Sequence, residues 1–253
     1  MAISKKTRMF FALAAAGGRS LNNLLMGKEW LGLEKLPQGQ GFIACPNHCT
    51  EIDPIVIGHM LYNQKRMPHF LAKESLFRTP VVGPILRGAQ QIPVERSGAG
   101  AGRSLIVAQE VLDDGGAVVV YPEGTLTRDP DLWPMKGRTG AARLALVTGA
   151  PVIPMAHWGA QEVFPRYAKS VKLFPRKKVR VLVGDPVDLS RFAGRTGDKA
   201  TLEEMTAVIM ADVTKLLAQL RGEEPPATVW DPSAHNQTQH GRNMERGGEA
   251  GTK

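Results

Sequence analysis

The chain has 253 residues, of which 43% are hydrophobic and 22% are charged, and this usage excludes a disordered chain and a peptide-sized scaffold. Its two cysteines, Cys45 and Cys49, exclude a disulfide framework, do not have the spacing of a structural zinc site, and favour a reducing compartment. The net charge of +8 arises in residues 1–28 and 166–180, which contain basic residues and no acidic ones.

These two basic stretches predict attraction to a polyanionic surface or to an anionic ligand. An anionic membrane leaflet and a phosphorylated substrate both fit. Nucleic acid is not expected as a partner, because aromatic residues make up only 6% of the chain and no helix-turn-helix, zinc-finger or base-stacking pattern is present.

Residues 1–28 are predicted to form an amphipathic helical arm. At about 100° per residue, Phe10, Leu13, Leu21 and Leu24 share one face, and basic residues lie opposite. The apolar run over residues 9–18 is shorter than the roughly 17–25 residues of a spanning helix. We interpret the arm as a helix in the membrane interface; a helix packed on the protein's own core and a signal peptide are the alternatives.

Residues 29–222 alternate short apolar strands with helical segments. Strands are predicted at residues 41–45, 70–72, 91–94, 117–121, 152–155 and 179–183, and helices at 54–62, 103–114, 141–147 and from 201 onward. Asp53 is expected to cap the first helix, and Thr201 with Glu204 to form a capping box at the last. The alternation predicts one α/β catalytic domain with a mixed, largely parallel sheet flanked by helices. Residues 223–253, rich in Pro, Gly and polar side chains, are predicted to be a disordered tail.

A first polar cluster, residues 47–53, directly follows the strand at 41–45. His48 and Asp53 would lie on different faces of a regular helix, so they meet only if the chain turns between them. A carboxylate behind a histidine orients the ring and makes it a better base for removing a hydroxyl proton. A loop histidine beside a capping aspartate is the simpler alternative.

A second polar cluster, residues 121–129, follows the most apolar strand. Gly124 permits close approach of the backbone, and the hydroxyl groups with Arg128 are suited to an oxyanion or a hydroxylated ligand. Arg96 closes a third segment that begins at Gly88, and a fourth segment is the apolar run ending at Pro154. Each of these segments follows or ends a predicted strand, where open α/β sheets build their sites.

In this order the four segments resemble the sequence blocks of the glycerolipid acyltransferases, which acylate glycerol 3-phosphate and its 1-acyl derivative. The matching residues are His48 and Asp53; Gly88 and Arg96; Tyr121, Pro122, Glu123, Gly124 and Thr125; and Val152, Ile153 and Pro154. The resemblance covers about residues 30–190. It departs from many members at Leu126, which stands where they carry an arginine, so the phosphate-facing role is expected to pass to Arg128 or Lys136.

The resemblance implies an O-acyltransferase of phospholipid biosynthesis, peripheral on the cytoplasmic face of the cell membrane. The donor would be acyl-CoA or acyl carrier protein, the acceptor lysophosphatidic acid and the product phosphatidic acid, with no cofactor or metal. His48 would be the general base and Asp53 would orient it. Arg96, Glu123, Gly124 and Thr125 would line the acceptor site.

Three alternatives remain at this stage. The same fold could acylate another lysophospholipid or a glycolipid. A protein of a different class could bind lipid or nucleic acid through its basic stretches without catalysis, although the His48 and Asp53 pair argues against this. A cysteine nucleophile at Cys49 is disfavoured, because side chains of adjacent residues diverge and a thiol normally meets its base from elsewhere in the fold.

Overall fold

The computed structural model describes residues 26–94 and 100–238. The described residues form one seven-stranded sheet in the order β1-β7-β6-β2-β5-β3-β4. Its strands are β1 (Met26–Leu31), β2 (Phe42–Pro46), β3 (Pro68–Lys73), β4 (Ile92–Val94), β5 (Ala117–Val119), β6 (Val152–Trp158) and β7 (Lys177–Val183). β6 and β7 pair antiparallel, and the other neighbours are parallel. The predicted mixed, largely parallel sheet is therefore confirmed.

Helices cover both faces of this sheet. They are α1 (Asp53–Asn63), α2 (Glu74–Phe77), α3 (Val82–Gly88), α4 (Gly100–Asp113), α5 (Gly140–Thr148), α6 (Ala160–Val163) and α7 (Lys199–Arg221), with single 3-10 turns at Leu33–Lys35 and Ser190–Phe192. Within the described ranges, no helix combines the length and the apolar content that a membrane span requires.

The central strand β2 is buried throughout because each of its faces meets helices. Phe42 and Ala44 point to a core that includes Ile57 of α1, whereas Ile43 and Cys45 point to the core on the other face. This alternation is the two-residue period of a strand. A polar segment that follows β2 is consequently held at a fixed place at the carboxyl end of the sheet.

Several sequence-based boundaries need correction. Residues 26–28, assigned to the amphipathic arm, belong to β1, where their backbone pairs with β7 at residues 177–179. The rest of the arm, residues 1–25, lies outside the described residues. In the predicted disordered tail, Trp230 forms a β-bridge with Met135, and its carbonyl accepts a hydrogen bond from the Lys136 N–H, so the tail is held against the domain at this point.

Two predicted helix caps are also wrong. The carboxylate of Asp53 turns back to N–H groups of the preceding turn, so α1 has no side-chain cap. α7 begins at Lys199, and Asp198 is its cap because it accepts a hydrogen bond from the Thr201 N–H. Glu204 instead pairs with Arg195.

Candidate active site

The two polar turns predicted from the sequence lie side by side, because β2 and β5 are neighbours in the sheet. Glu123, in the turn after β5, joins them. Its Oε1 accepts a hydrogen bond from the His48 N–H at 2.9 Å, and its Oε2 accepts one from the Met135 N–H at 3.1 Å. The Thr127 N–H also donates to the His48 carbonyl at 2.7 Å. The backbone around His48 is thus fixed from two directions.

The structure brings the side chains of His48 and Asp53 together. Nδ1 of His48 lies 2.9 Å from Oδ2 of Asp53. The same oxygen accepts hydrogen bonds from the N–H groups of Cys49 at 2.7 Å and Thr50 at 2.9 Å, which the tight turn between β2 and α1 directs at it. Asp53 is fully buried, so its position is set by these contacts and by the start of α1.

The charge state of Asp53 determines what His48 can do. Burial opposes ionisation of the carboxyl group, but His157 and His48 outweigh it and lower the pKa of Asp53 to about 2. An ionised Asp53 accepts a hydrogen bond from Nδ1–H of His48, which keeps the proton on Nδ1 and leaves the lone pair on Nε2. The imidazole is therefore arranged as a proton acceptor at Nε2.

His157 lies behind this pair and was given no role by the sequence. Its Nε2 is 3.4 Å from Asp53 Oδ2 and 3.0 Å from the Asn47 carbonyl oxygen, two acceptors that place a proton on Nε2. The backbone of His157 is tied to the Asn47 side chain by two further hydrogen bonds, at 2.8 and 3.2 Å. These contacts connect the end of β6 to the catalytic turn.

Tyr121 and Glu123 shape the other side of His48. The Tyr121 ring stacks on the His48 imidazole, with centroids 4.0 Å apart and an interplanar angle of 25°. Burial raises the pKa of Glu123 to about 8, although N–H groups of Met135 and His48 favour its ionised form. Near neutral pH, Glu123 therefore adds little negative charge beside Asp53.

A pocket of about 800 Å³ opens next to His48. Most of its lining is apolar, and Ile55, Phe70, Leu76 and Ile85 are among the side chains that form it. Its volume and apolar walls are those of a site for a small organic molecule or a hydrocarbon chain.

Two of the predicted substrate-binding residues, Arg128 and Lys136, do not line this pocket. Arg128 is 1% exposed and donates to the Tyr167 hydroxyl at 2.9 Å, because the chain has already turned into the protein interior two residues after Leu126. The Lys136 side chain is 64% exposed, pairs with Asp231 at 2.8 Å and borders a separate groove along α7. Neither side chain lines the pocket beside His48, so the structure gives them no contact with that pocket, and their role toward the acceptor phosphate stays a prediction.

The other residues predicted to bind substrate differ in whether they line the pocket beside His48. Gly124 lines the pocket, whereas Thr125 is half-buried outside its lining. Arg96 lies outside the described residues. Among the described lysine and arginine side chains, Lys73 and Arg138 line the pocket.

Sequence reasoning missed Arg138. Gly124 has a φ of 70°, and a Cβ atom there would lie 2.6 Å from Cδ of Arg138, so Arg138 lies directly against this glycine. The available signal was a basic residue shortly before the predicted helix at 141–147. Its proximity to Gly124 depends on the path of the intervening loop, where the Arg138 N–H donates to the Pro122 carbonyl at 2.8 Å.

Cys49 does not have the surroundings of a nucleophile. Its side chain is fully buried, and burial raises its thiol pKa well above the usual value. Cys49, Asp53 and His157 offer atoms within 4.8 Å of one another, as a metal site would. A protonated thiol is a poor ligand, and Asp53 Oδ2 already accepts three hydrogen bonds, so the cluster fits a hydrogen-bonded network better than a metal centre.

Residues 29–158, just over half of the chain, match the family model described as acyltransferase. This range contains the His48 turn, Glu123 and the pocket. The chain belongs to the acyltransferase family.

The similar proteins include two with named lipid activities. The 1-acyl-sn-glycerol-3-phosphate acyltransferase of Borreliella burgdorferi is 26% identical over 75% of this chain and 71% of its own. The N-acylphosphatidylethanolamine synthase of Arabidopsis thaliana is 26% identical over 62% of this chain and 59% of its own. The solved structure of PlsC, the 1-acyl-sn-glycerophosphate acyltransferase of Thermotoga maritima, has a TM-score of 0.66 at 22% identity and covers 89% of this chain and 86% of its own, which confirms the fold.

Proposed function

We propose that the protein transfers a fatty acyl group from a thioester donor to the free hydroxyl of 1-acylglycerol 3-phosphate and so makes phosphatidic acid. The observation that carries this proposal is the His48 and Asp53 pair, with the contact at 2.9 Å, next to an apolar pocket of about 800 Å³. The names of two similar proteins, the 1-acyl-sn-glycerol-3-phosphate acyltransferases of Borreliella burgdorferi and Brassica napus, support the same acceptor.

In the proposed reaction, Nε2 of His48 removes the proton of the acceptor hydroxyl as its oxygen attacks the thioester carbonyl carbon. A tetrahedral oxyanion forms. Its collapse breaks the carbon–sulfur bond, and His48 returns the proton to the leaving thiolate. Asp53 remains ionised and stabilises the transient imidazolium, because its pKa of about 2 is far below neutral pH.

We assign recognition of the acceptor phosphate to Arg138, with Lys73 as a second cation of the same pocket. A guanidinium can form paired, charge-assisted hydrogen bonds to phosphate, which fix orientation as well as affinity. Arg96, the resemblance-based candidate, remains part of this proposal. Glu123 acts on the site indirectly by holding the backbone of His48 and Met135.

The donor in this proposal is acyl-CoA or acyl carrier protein, and the enzyme works as a peripheral protein on the cytoplasmic face of the cell membrane. The basic stretch at residues 166–180 favours a membrane surface rich in anionic lipid.

The test is incubation of the purified full chain with each donor and a panel of acceptors, with products identified by mass spectrometry. The panel contains 1-acylglycerol 3-phosphate, lysophosphatidylethanolamine, phosphatidylethanolamine and 1-acylglycerol. Phosphatidic acid as the main product supports the proposal. Acylation of phosphatidylethanolamine or its lyso form in preference to 1-acylglycerol 3-phosphate would contradict it.

A further inference from the structure

The carboxyl edge of the sheet carries two exposed apolar projections on either side of the His48 pocket. The helical tip consists of residues 76–85, which join α2 to α3 directly after β3. The loop tip consists of residues 171–174, which lead into β7. Because β7 runs antiparallel to β6, its amino end lies at the same edge as the carboxyl ends of β2, β3 and β5. Both tips therefore lie at the catalytic edge.

The helical tip exposes large apolar side chains to solvent. Val81 is 72% exposed, and Val82 and Ile85, three residues apart on α3, are 44% and 47% exposed. Val81 has a φ of 67°, and the Val82 N–H donates to the Pro80 carbonyl at 2.8 Å, so the chain makes a tight γ-turn that is rare for a β-branched residue. A strained backbone that presents valine to water indicates a functional surface rather than a packing requirement.

The loop tip combines apolar and basic side chains. Phe174 is 90% exposed, and Val171 and Leu173 beside it are also exposed. Lys169 and Lys172 are exposed in the same loop, which lies within the acid-free stretch at residues 166–180. An exposed aromatic ring beside lysines is the composition of a segment that enters the interface of an anionic bilayer.

We propose that this edge is the surface by which the enzyme docks on an anionic bilayer, with the helical tip and the loop tip inserted on either side of the pocket. The inference rests on the proposed function, because a membrane lipid must pass from the bilayer to His48. Ile55, Leu76 and Ile85 are exposed and also line the pocket, so the docking face is continuous with the pocket mouth. The lipid tails would then enter the pocket from the bilayer.

Four single substitutions in the full chain test the docking face, and Lys172→Ala is the one that removes a positive charge. Val81→Asp and Phe174→Asp place a charge at each tip. Val147→Asp is the matched control, because Val147 is 63% exposed in the last turn of α5, which leads to the amino end of β6 at the opposite edge. Binding is measured by co-sedimentation with vesicles of phosphatidylcholine, alone or mixed with phosphatidylglycerol.

We expect each tip variant to bind the mixed vesicles about tenfold more weakly than the native chain, and Val147→Asp to bind equally well. Lys172→Ala should lose about fivefold on the mixed vesicles and little on pure phosphatidylcholine. All variants should keep native activity on a short-chain, water-soluble 1-acylglycerol 3-phosphate, which shows that the fold and the pocket are intact.

A second measurement does not depend on loss of binding. Both native cysteines are buried, so Val81→Cys, Phe174→Cys and Val147→Cys can each be labelled with an environment-sensitive fluorophore at the substituted position. A blue shift on vesicle addition is expected at 81 and 174 and not at 147. Equal vesicle binding by the tip variants and Val147→Asp would overturn the docking face, and so would the absence of a fluorescence shift at both tips. The same conclusion would follow if the tip variants weakened binding of acyl carrier protein and left vesicle binding unchanged. If the tips bind vesicles as expected but the protein does not acylate 1-acylglycerol 3-phosphate, the proposed function is refuted and the docking face is not.

Discussion

His157 contacts the same carboxylate oxygen of Asp53 that holds the candidate base, with its Nε2 3.4 Å away. Asp53 is thus shared between two imidazoles, one facing the pocket and one fully buried. The buried histidine gives the carboxylate a fixed orientation and contributes to its low pKa. In the proposed reaction, proton transfer by His48 would depend on this arrangement, because an ionised Asp53 keeps the proton of His48 on Nδ1.

The low pKa of Asp53 predicts a pH-dependent contribution to stability. The folded value of about 2 lies below the usual 3.8, so Asp53 stabilises the fold above about pH 4 and the contribution of about 2 kcal/mol is lost as the pH falls towards 2. In His157→Leu the pKa of Asp53 should rise, and this part of the pH dependence should shrink. Chemical denaturation across this pH range measures it.

Asp53→Asn provides the control for that experiment. Without the carboxylate, His157→Leu should no longer change the part of the pH dependence of the unfolding free energy that lies between about pH 2 and 4, although it can still change the absolute value. If His157→Leu alters the pH dependence equally in both backgrounds, the contact between His157 and Asp53 is not its source.

Arg138→Gln tests the assignment of the acceptor phosphate. Loss of a charge-assisted bond of roughly 1.5–3 kcal/mol should reduce kcat/KM for 1-acylglycerol 3-phosphate by about 10- to 150-fold. The KM of the thioester donor should stay constant, and any activity on phosphate-free 1-acylglycerol should be unaffected. Arg143→Gln is the matched control, since Arg143 is exposed on α5 and outside the pocket lining. An equal loss on both acceptors would show that Arg138 does not recognise the phosphate.

Gly124→Ala should reproduce part of the Arg138 defect. The added Cβ would lie 2.6 Å from Cδ of Arg138, and alanine is strained at a φ of 70°. We expect Arg138 to be displaced, with a higher KM for the phosphorylated acceptor and a cost to stability of about 1 kcal/mol. Combining Gly124→Ala with Arg138→Gln should add little further to the acceptor KM. Fully additive acceptor defects would indicate that the two residues act separately.

The sequence predicted the elements whose local pattern is strong. The apolar run at 117–121 contains the observed strand β5, which begins at the predicted residue. The glycine predicted to end the helix at 141–147 is Gly149, and it has the left-handed backbone of a helix end. β1 was missed because its residues are partly polar and the described strand with which it pairs, β7, is about 150 residues away in the chain. The short helices α2 and α3 were missed because Pro80, Gly83 and Pro84 interrupt any helical period.

The candidate site was predictable only where the chemistry is local. His48 and Asp53 are five residues apart, so a single turn brings them together. The cations depend on tertiary structure instead: Arg128, Lys136 and Arg138 lie within eleven residues of one another, yet only Arg138 lines the pocket beside His48. Which of them does so is decided by the loop path, held by backbone bonds from Lys136 to Trp230 and from Arg138 to Pro122.

The kcat of His48→Ala on 1-acylglycerol 3-phosphate, with Cys49→Ala measured in parallel, tests whether His48 is the base for acyl transfer. If His48 is the base, we expect kcat to fall by at least about 100-fold in His48→Ala with an unchanged fold, and only mildly in Cys49→Ala, because that thiol is buried and protonated. An active His48→Ala enzyme together with an inactive Cys49→Ala enzyme would show that Cys49, and not His48, carries the reaction.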